Sequence, residues 1–278
     1  MKRRLDLSNL DFGLSSTEKH LKKIRLQLDD PKFIRPRVLS SLSTVLVRHA
    51  KFRYAVGYQF DLIRPLLVES AECFKEILTH RGNIPAFEVV HLEVEVNEKG
   101  EATPVASKAK PKQNFASTNS HINKEAVYLA LAGGESELAR ELALEIWDPP
   151  NASYIGARSE VCAIWQQQLA YSVKHYFSGE LEQANECIEK VVAPEESLAG
   201  REKAMLRCVF RNEEGFVGCL DQYLSRHQKI FQGRKDTNLM ICIIGLGIVK
   251  LALDAGLVSL NDLPKDNVFL PLELMSKG

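Results

Sequence analysis

Apolar positions recur along most of this chain with the spacing of one helix face, and short breaks of Gly, Pro, Asn or Asp divide them into segments. Leu21, Ile24 and Leu28, at i, i+3 and i+7, predict an amphipathic helix over residues 16–28, ended by Asp30-Pro31. A second helix is expected from about Pro36, a residue suited to a first helical turn, with Val38, Leu39, Leu42, Val45 and Leu46 on its buried face. Phe52, Tyr54, Tyr58 and Phe60 continue this layer. Leu66, Leu67, Ala71, Phe74 and Leu78 then mark a third helix over 62–79, before Arg81-Gly82-Asn83.

The period changes at 87–106. Val90, Leu92, Val94 and Val96 alternate with His91, Glu93 and Glu95, the pattern of a strand with one wet face. Asn97 to Gly100 reads as a turn, and 101–106 as a returning edge strand, where Pro104 is tolerated. Residues 108–119, rich in Lys, Pro, Ser and Asn, read as a flexible linker. The chain thus divides into an N-terminal helical layer with a small hairpin insert (1–107), the linker, and a helical-hairpin domain (120–278) expected to pack with the N-terminal layer as one unit.

Within 120–278 the helical period resumes, with helices expected near 122–132, 135–147, 158–178, 180–192, 199–211, 214–231 and 238–255. One phrase is written three times there. It reads Ala130-Leu131-Ala132-Gly133-Gly134-Glu135, then Tyr176-Phe177-Ser178-Gly179-Glu180, then Val209-Phe210-Arg211-Asn212-Glu213-Glu214. Each copy joins an apolar helix end to Gly or Asn, then to acids and a second apolar helix. In a helical hairpin, Gly or Asn takes the left-handed residue that ends one helix, and acids favour the positive start of the next. Asp148-Pro149-Pro150 and Ala193-Pro194 close hairpins, and Val268-Phe269-Leu270-Pro271-Leu272 is expected to dock on the core as a C-terminal clasp. The copies lie 45 and 33 residues apart, too uneven for a tetratricopeptide array, whose consensus is also missing. The expected fold class is therefore mainly α, an irregular, TPR-like helical-hairpin array with an N-terminal helical layer and a small β-hairpin insert.

Charge changes the picture locally. The net charge is zero, with 36 basic and 36 acidic residues, which gives a nucleic-acid role no support. Residues 1–64 nevertheless hold 14 Lys/Arg against 6 Asp/Glu, so the rest of the chain is acidic by the same excess. No apolar core of a signal peptide follows Met1-Lys2-Arg3-Arg4, and the run Leu239 to Val249 is too short to span a bilayer. The six cysteines form no C-x-x-C pair and read as reduced, buried thiols. A cytoplasmic protein without a membrane role is expected.

Candidate chemistry is sparse. Gly245-Leu246-Gly247 lacks the preceding strand and third glycine of a dinucleotide fingerprint, and reads as close helix packing. None of the seven histidines has a second ligand at metal-site spacing, so no metal is expected. Cys162 and Ser172 carry no nucleophile signature, and neither a P-loop nor G-x-S-x-G is present. No catalytic residues and no cofactor are assigned. The organised polar feature is acidic: Glu137, Glu141 and Glu145 form one helical row, and Glu182, Glu186 and Glu189 a second. Like charges at these spacings disfavour a helix by ~0.2–0.5 kcal/mol per pair. Arg140 and Lys190 stand near enough to offset part of that. A solvated acidic face accounts for the rows structurally; a docking surface for a basic protein accounts for them functionally.

Ala130-Leu131-Ala132-Gly133-Gly134-Glu135, with Glu137-Leu138-Ala139, resembles the immunity protein 49 family of bacterial polymorphic-toxin systems. A charged helix at 213–231, an apolar helix at 239–253, Ala255-Gly256 and Phe269-Leu270-Pro271 extend the likeness over about residues 120–275. The resemblance implies an all-α, non-enzymatic cytoplasmic protein that binds and neutralises a cognate toxin. The acidic rows would then face a basic, nuclease-like toxin domain. A helical-repeat scaffold bridging other proteins is the alternative, and an enzyme with an unrecognised helical active site is a third reading.

Overall fold

Helix α1 (Leu7–Leu28) starts well before residue 16, because Leu10 and Thr17 extend the buried face of Leu21 and Ile24 by two further turns. The computed structural model describes residues 7–57, 59–79, 92–96, 102–106, 120–146, 164–234 and 240–275. Tyr58, the turn at 97–100, the linker at 108–119, Asp148-Pro149-Pro150 and Cys162 lie outside these. Helix α2 (Arg35–Val56) carries Pro36 in its first turn and ends at Gly57, whose φ of 91° is left-handed. It buries the predicted Val38, Leu39, Leu42, Val45 and Leu46, together with His49. A 3-10 turn (Phe60–Leu62) leads into α3 (Arg64–Thr79), and α1, α2 and α3 pack in succession. Strands β1 (Leu92–Val96) and β2 (Ala102–Ala106) run antiparallel, with Leu92 opposite Ala106 and Val94 opposite Pro104.

The centre of the molecule is α4 (Ser120–Ala132). Its residues 126–132 are all buried, as the nearly uninterrupted apolar sequence requires of a helix covered on every side. It packs against α3, α5 (Ser136–Leu144), α6 (Ile164–Ser178) and α10 (Ile243–Asp254). Gly247 lets α10 approach α4: a Cβ there would stand 2.7 Å from Tyr128 Cδ1, whereas one at Gly245 would meet the Cys242 thiol, so of the glycine pair Gly247 serves close helix packing. Helices α7 (Leu181–Glu189), α8 (Leu198–Arg211) and α9 (Phe216–Arg234) complete the described helices.

The thrice-written phrase adopts one geometry. Gly134, Gly179 and Asn212 have φ of 79°, 79° and 51°. After each, the next N–H reaches back five residues: Glu135 to Ala130 O, Glu180 to His175 O and Glu213 to Cys208 O, at 2.9, 2.9 and 3.0 Å. This is the Schellman end, which satisfies carbonyls that a helix terminus would otherwise orphan. A fourth copy ends α10, where Gly256 has φ of 69° and Leu257 N–H reaches Ala252 O at 2.9 Å.

Past Gly256 the chain returns as the expected clasp. Phe269, Leu270, Leu272 and Leu274 are buried, and Phe269 packs edge-on against His227 and Phe231. Tyr54 Oη donates to Val268 O at 2.6 Å, and Arg64 donates to the carbonyls of Glu273 and Leu274. The clasp therefore ties α2 and α3 to α9 and α10 over one contiguous core. It also shortens α10. Phe269 O takes the N–H of Cys242 at 2.8 Å, so the helix begins at residue 243 and not near 238 as expected. Among the described residues, no helix is long and apolar enough to cross a membrane.

Candidate functional site

Helix α5 buries Ala139, Leu142 and Ala143 at i, i+3 and i+4, which turns the opposite face outward. Glu137, Glu141 and Glu145 are all exposed on that side. Leu144 lies among them with 43% of its surface accessible. The row is partly neutralised from an unexpected direction. Lys75 of α3 meets Glu141 Oε2 at 2.5 Å, whereas Arg140 forms no ion pair among the described residues. Ser136 Oγ donates to Asp254 Oδ2 at 2.8 Å, which fixes the start of α5 to the end of α10.

Helix α7 repeats the plan, with Ala184, Cys187 and Ile188 inward and Glu182, Glu186 and Glu189 outward. Here Lys190 does offset a charge, standing 3.8 Å from Glu186. Glu189 is committed elsewhere: it pairs with Arg211 of α8 at 2.7 Å and lies 3.9 Å from both Lys203 and Arg207. It is a bracket between α7 and α8. Glu182 has no ion pair among the described residues, and the neighbouring Leu181 is 47% accessible. Helix α5 packs on α3, α4 and α6, while α7 packs on α6 and α8, so the two rows ride on separate helices.

Two further polar features escape the helical period. The first is a buried node. Lys124 Nζ meets Glu202 Oε1 at 2.6 Å, and Tyr128 Oη donates to the same oxygen at 2.9 Å, with both charged side chains only 6% and 5% accessible. Burial, reinforced by the Glu202 charge and hydrogen bond, holds the Tyr128 phenol well above its ordinary range. No local spacing marks this node, because Lys124 and Glu202 stand 78 residues apart.

The second is a groove of about 410 Å³. Helix α2 supplies Ser43, Thr44, Val47, Arg48 and Lys51 along one stripe, and α4 supplies Glu125 and Leu129. Phe74, Leu198, Tyr223, His227 and residues 241–244 close it. Glu125 keeps solvent access, yet burial of its surroundings raises its carboxyl pKa, with Lys51 and Lys124 pulling it down and Glu202 pushing it up. Cys242, at the groove wall, is pushed up to about 12 by burial. Cys73 also rises to about 12 and Cys208 to about 11, burial leading in both cases. Such thiols hold almost no thiolate at neutral pH and make poor nucleophiles. Among the described residues no group of three or more His, Cys, Asp or Glu is placed to hold a metal ion.

Compared with known proteins, the chain matches no family model, no curated protein and no solved structure.

Proposed function

We propose that the protein is a cytoplasmic immunity protein, which neutralises a cognate bacterial toxin by stoichiometric binding. The TPR-like hairpin array is the scaffold for that docking, and no bond is made or broken. The observation that carries the proposal is the outer face of α5, where Glu137, Glu141 and Leu144 follow one another at i, i+4 and i+7 with Glu145 alongside. An exposed aliphatic side chain framed by carboxylates suits a basic surface with an apolar socket. The charges steer encounter and select the partner, and the leucine is desolvated on contact. Leu181 beside Glu182 gives α7 a smaller version of the same pairing. The likeness of residues 130–139 to the immunity protein 49 family supports the same reading. The ion pairs narrow the candidate set: Glu137 and Glu182 lead, Glu186 and Glu141 are shared with lysines, and Glu189 serves the fold.

The test is co-expression with the product of the gene adjacent to this reading frame, assayed for toxicity, followed by binding of the purified pair. Protection of the cell and a one-to-one complex are expected. Glu137→Lys with Glu145→Lys should slow association on the order of tenfold and flatten its salt dependence. Leu144→Ala should act mainly on dissociation. Failure to protect, or a double reversal that leaves association unchanged, would reject the immunity reading or the α5 face respectively.

A further inference from the structure

The groove bordered by α2, α4, α9 and the first turn of α10 takes no part in the docking face, because neither α5 nor α7 lines it. Its volume of about 410 Å³ falls within the ~300–1,000 Å³ typical of small-molecule sites. Its walls are apolar: Val47 from α2, Phe74 from α3, Leu129 from α4 and three isoleucines at 241, 243 and 244. The polar groups deep in it are already engaged. Ser43 Oγ lies 2.7 Å from Ser70 Oγ, Tyr223 is hydrogen-bonded to the Cys242 thiol, and His227 packs edge-on against Phe269. What is left for a ligand is apolar surface and charge at the rim.

That rim charge is positive. Arg48 is exposed and has no ion-pair partner among the described residues. Lys51 lies one turn further along α2, close enough to Glu125 for the two charges to act on one another. Two cations against one carboxylate leave an excess of one positive charge. The positive end of α10 adds to the bias at the wall formed by residues 243 and 244. We propose that this groove binds a small amphipathic monoanion, a carboxylate with an unbranched or aromatic apolar body. Its head would pair with Arg48 at the rim, and its body would lie on Leu129, Phe74 and the isoleucines.

The chemistry is tested with three probes of matched chain length, octanoate, octan-1-ol and octylammonium, titrated into the full-length protein by calorimetry or saturation-transfer NMR. Octanoate should bind saturably, with Kd on the order of 0.1–1 mM for a ligand of this size. The alcohol should bind more weakly and the amine weakest of all. Arg48→Gln should weaken octanoate about five- to tenfold, as expected for loss of a charge-assisted contact, while leaving octan-1-ol unchanged. Glu125→Gln should tighten octanoate by removing the opposing charge. Thr44→Trp, at an exposed rim position, should abolish binding of all three probes without lowering the unfolding temperature. Absence of saturable octanoate binding, equal or stronger binding of octylammonium, or indifference to Arg48→Gln would each overturn the proposal.

Discussion

Replacing Lys124 by Met should destabilise the protein far more than any surface ion pair could. The reason lies in what remains. Glu202 would keep its carboxylate at 5% exposure with, among the described residues, only the Tyr128 hydroxyl as donor, 2.9 Å away. Removing one partner of a buried pair costs about 3–5 kcal/mol, against a typical domain stability of about 5–15 kcal/mol. For a chain of this size that corresponds to a fall in Tm of roughly 5–9 °C. The same electrostatics predicts a rescue. Glu202→Leu in the Lys124→Met background removes the stranded charge, and Tyr128→Phe then removes the phenol that has lost its acceptor. The triple variant should recover to within about 1 kcal/mol of the parent or exceed it, because an apolar replacement has no ions to desolvate. Urea and thermal unfolding of the single, double and triple variants measure this directly. The reasoning is refuted if Lys124→Met costs less than about 1 kcal/mol, or if the triple variant is no more stable than the single one.

Gly179→Ala and Gly134→Ala test the shared helix ends. At Gly179 a Cβ meets nothing within 4 Å, so the cost should be the left-handed backbone alone, about 1 kcal/mol. At Gly134 the new Cβ also falls 2.9 Å from the Met275 carbonyl oxygen, so the clasp must shift and the loss of Tm should be clearly larger; equal losses would contradict this. His49 should give stability a pH dependence. Arg53 Nε–H donates to its Nε2 at 2.9 Å, which puts the ring proton on Nδ1, facing Thr17 Oγ1 at 2.8 Å. Burial first and Arg53 second lower its pKa, with Glu18 opposing and Arg25 assisting from α1. The unfolded chain therefore takes a proton near pH 6.5 that the folded state resists. Stability from this site should be complete above about pH 6.5 and lost as pH falls through the lower, folded-state pKa. The urea midpoint of His49→Gln should vary less than the parent's between pH 7.5 and 5, and parallel curves would exclude His49 as the cause.

Much of the local structure was legible in the residues. Gly134, Gly179 and Asn212 announced helix ends because only such residues enter the left-handed region cheaply, and the hydrogen bonds that follow are set within six residues. The buried faces of α2 and α3 followed from apolar spacing for the same reason, that a helix places i, i+3 and i+4 on one side. The acidic rows were legible as rows, though their status was not. Glu141 and Glu189 look like Glu137 and Glu182 along the chain, and differ only because Lys75 and Arg211 arrive from other helices. Lys124, Tyr128 and Glu202, and the groove that gathers Arg48, Glu125 and Tyr223, had no sequence signature, since each joins residues brought together by packing. Sequence alone thus determined what depends on a few consecutive backbone angles: helix periods, their left-handed ends and which side of each helix is apolar. Tertiary structure decided which charges stay exposed, which are consumed and where a cavity opens, because these depend on distances between helices that no local spacing encodes.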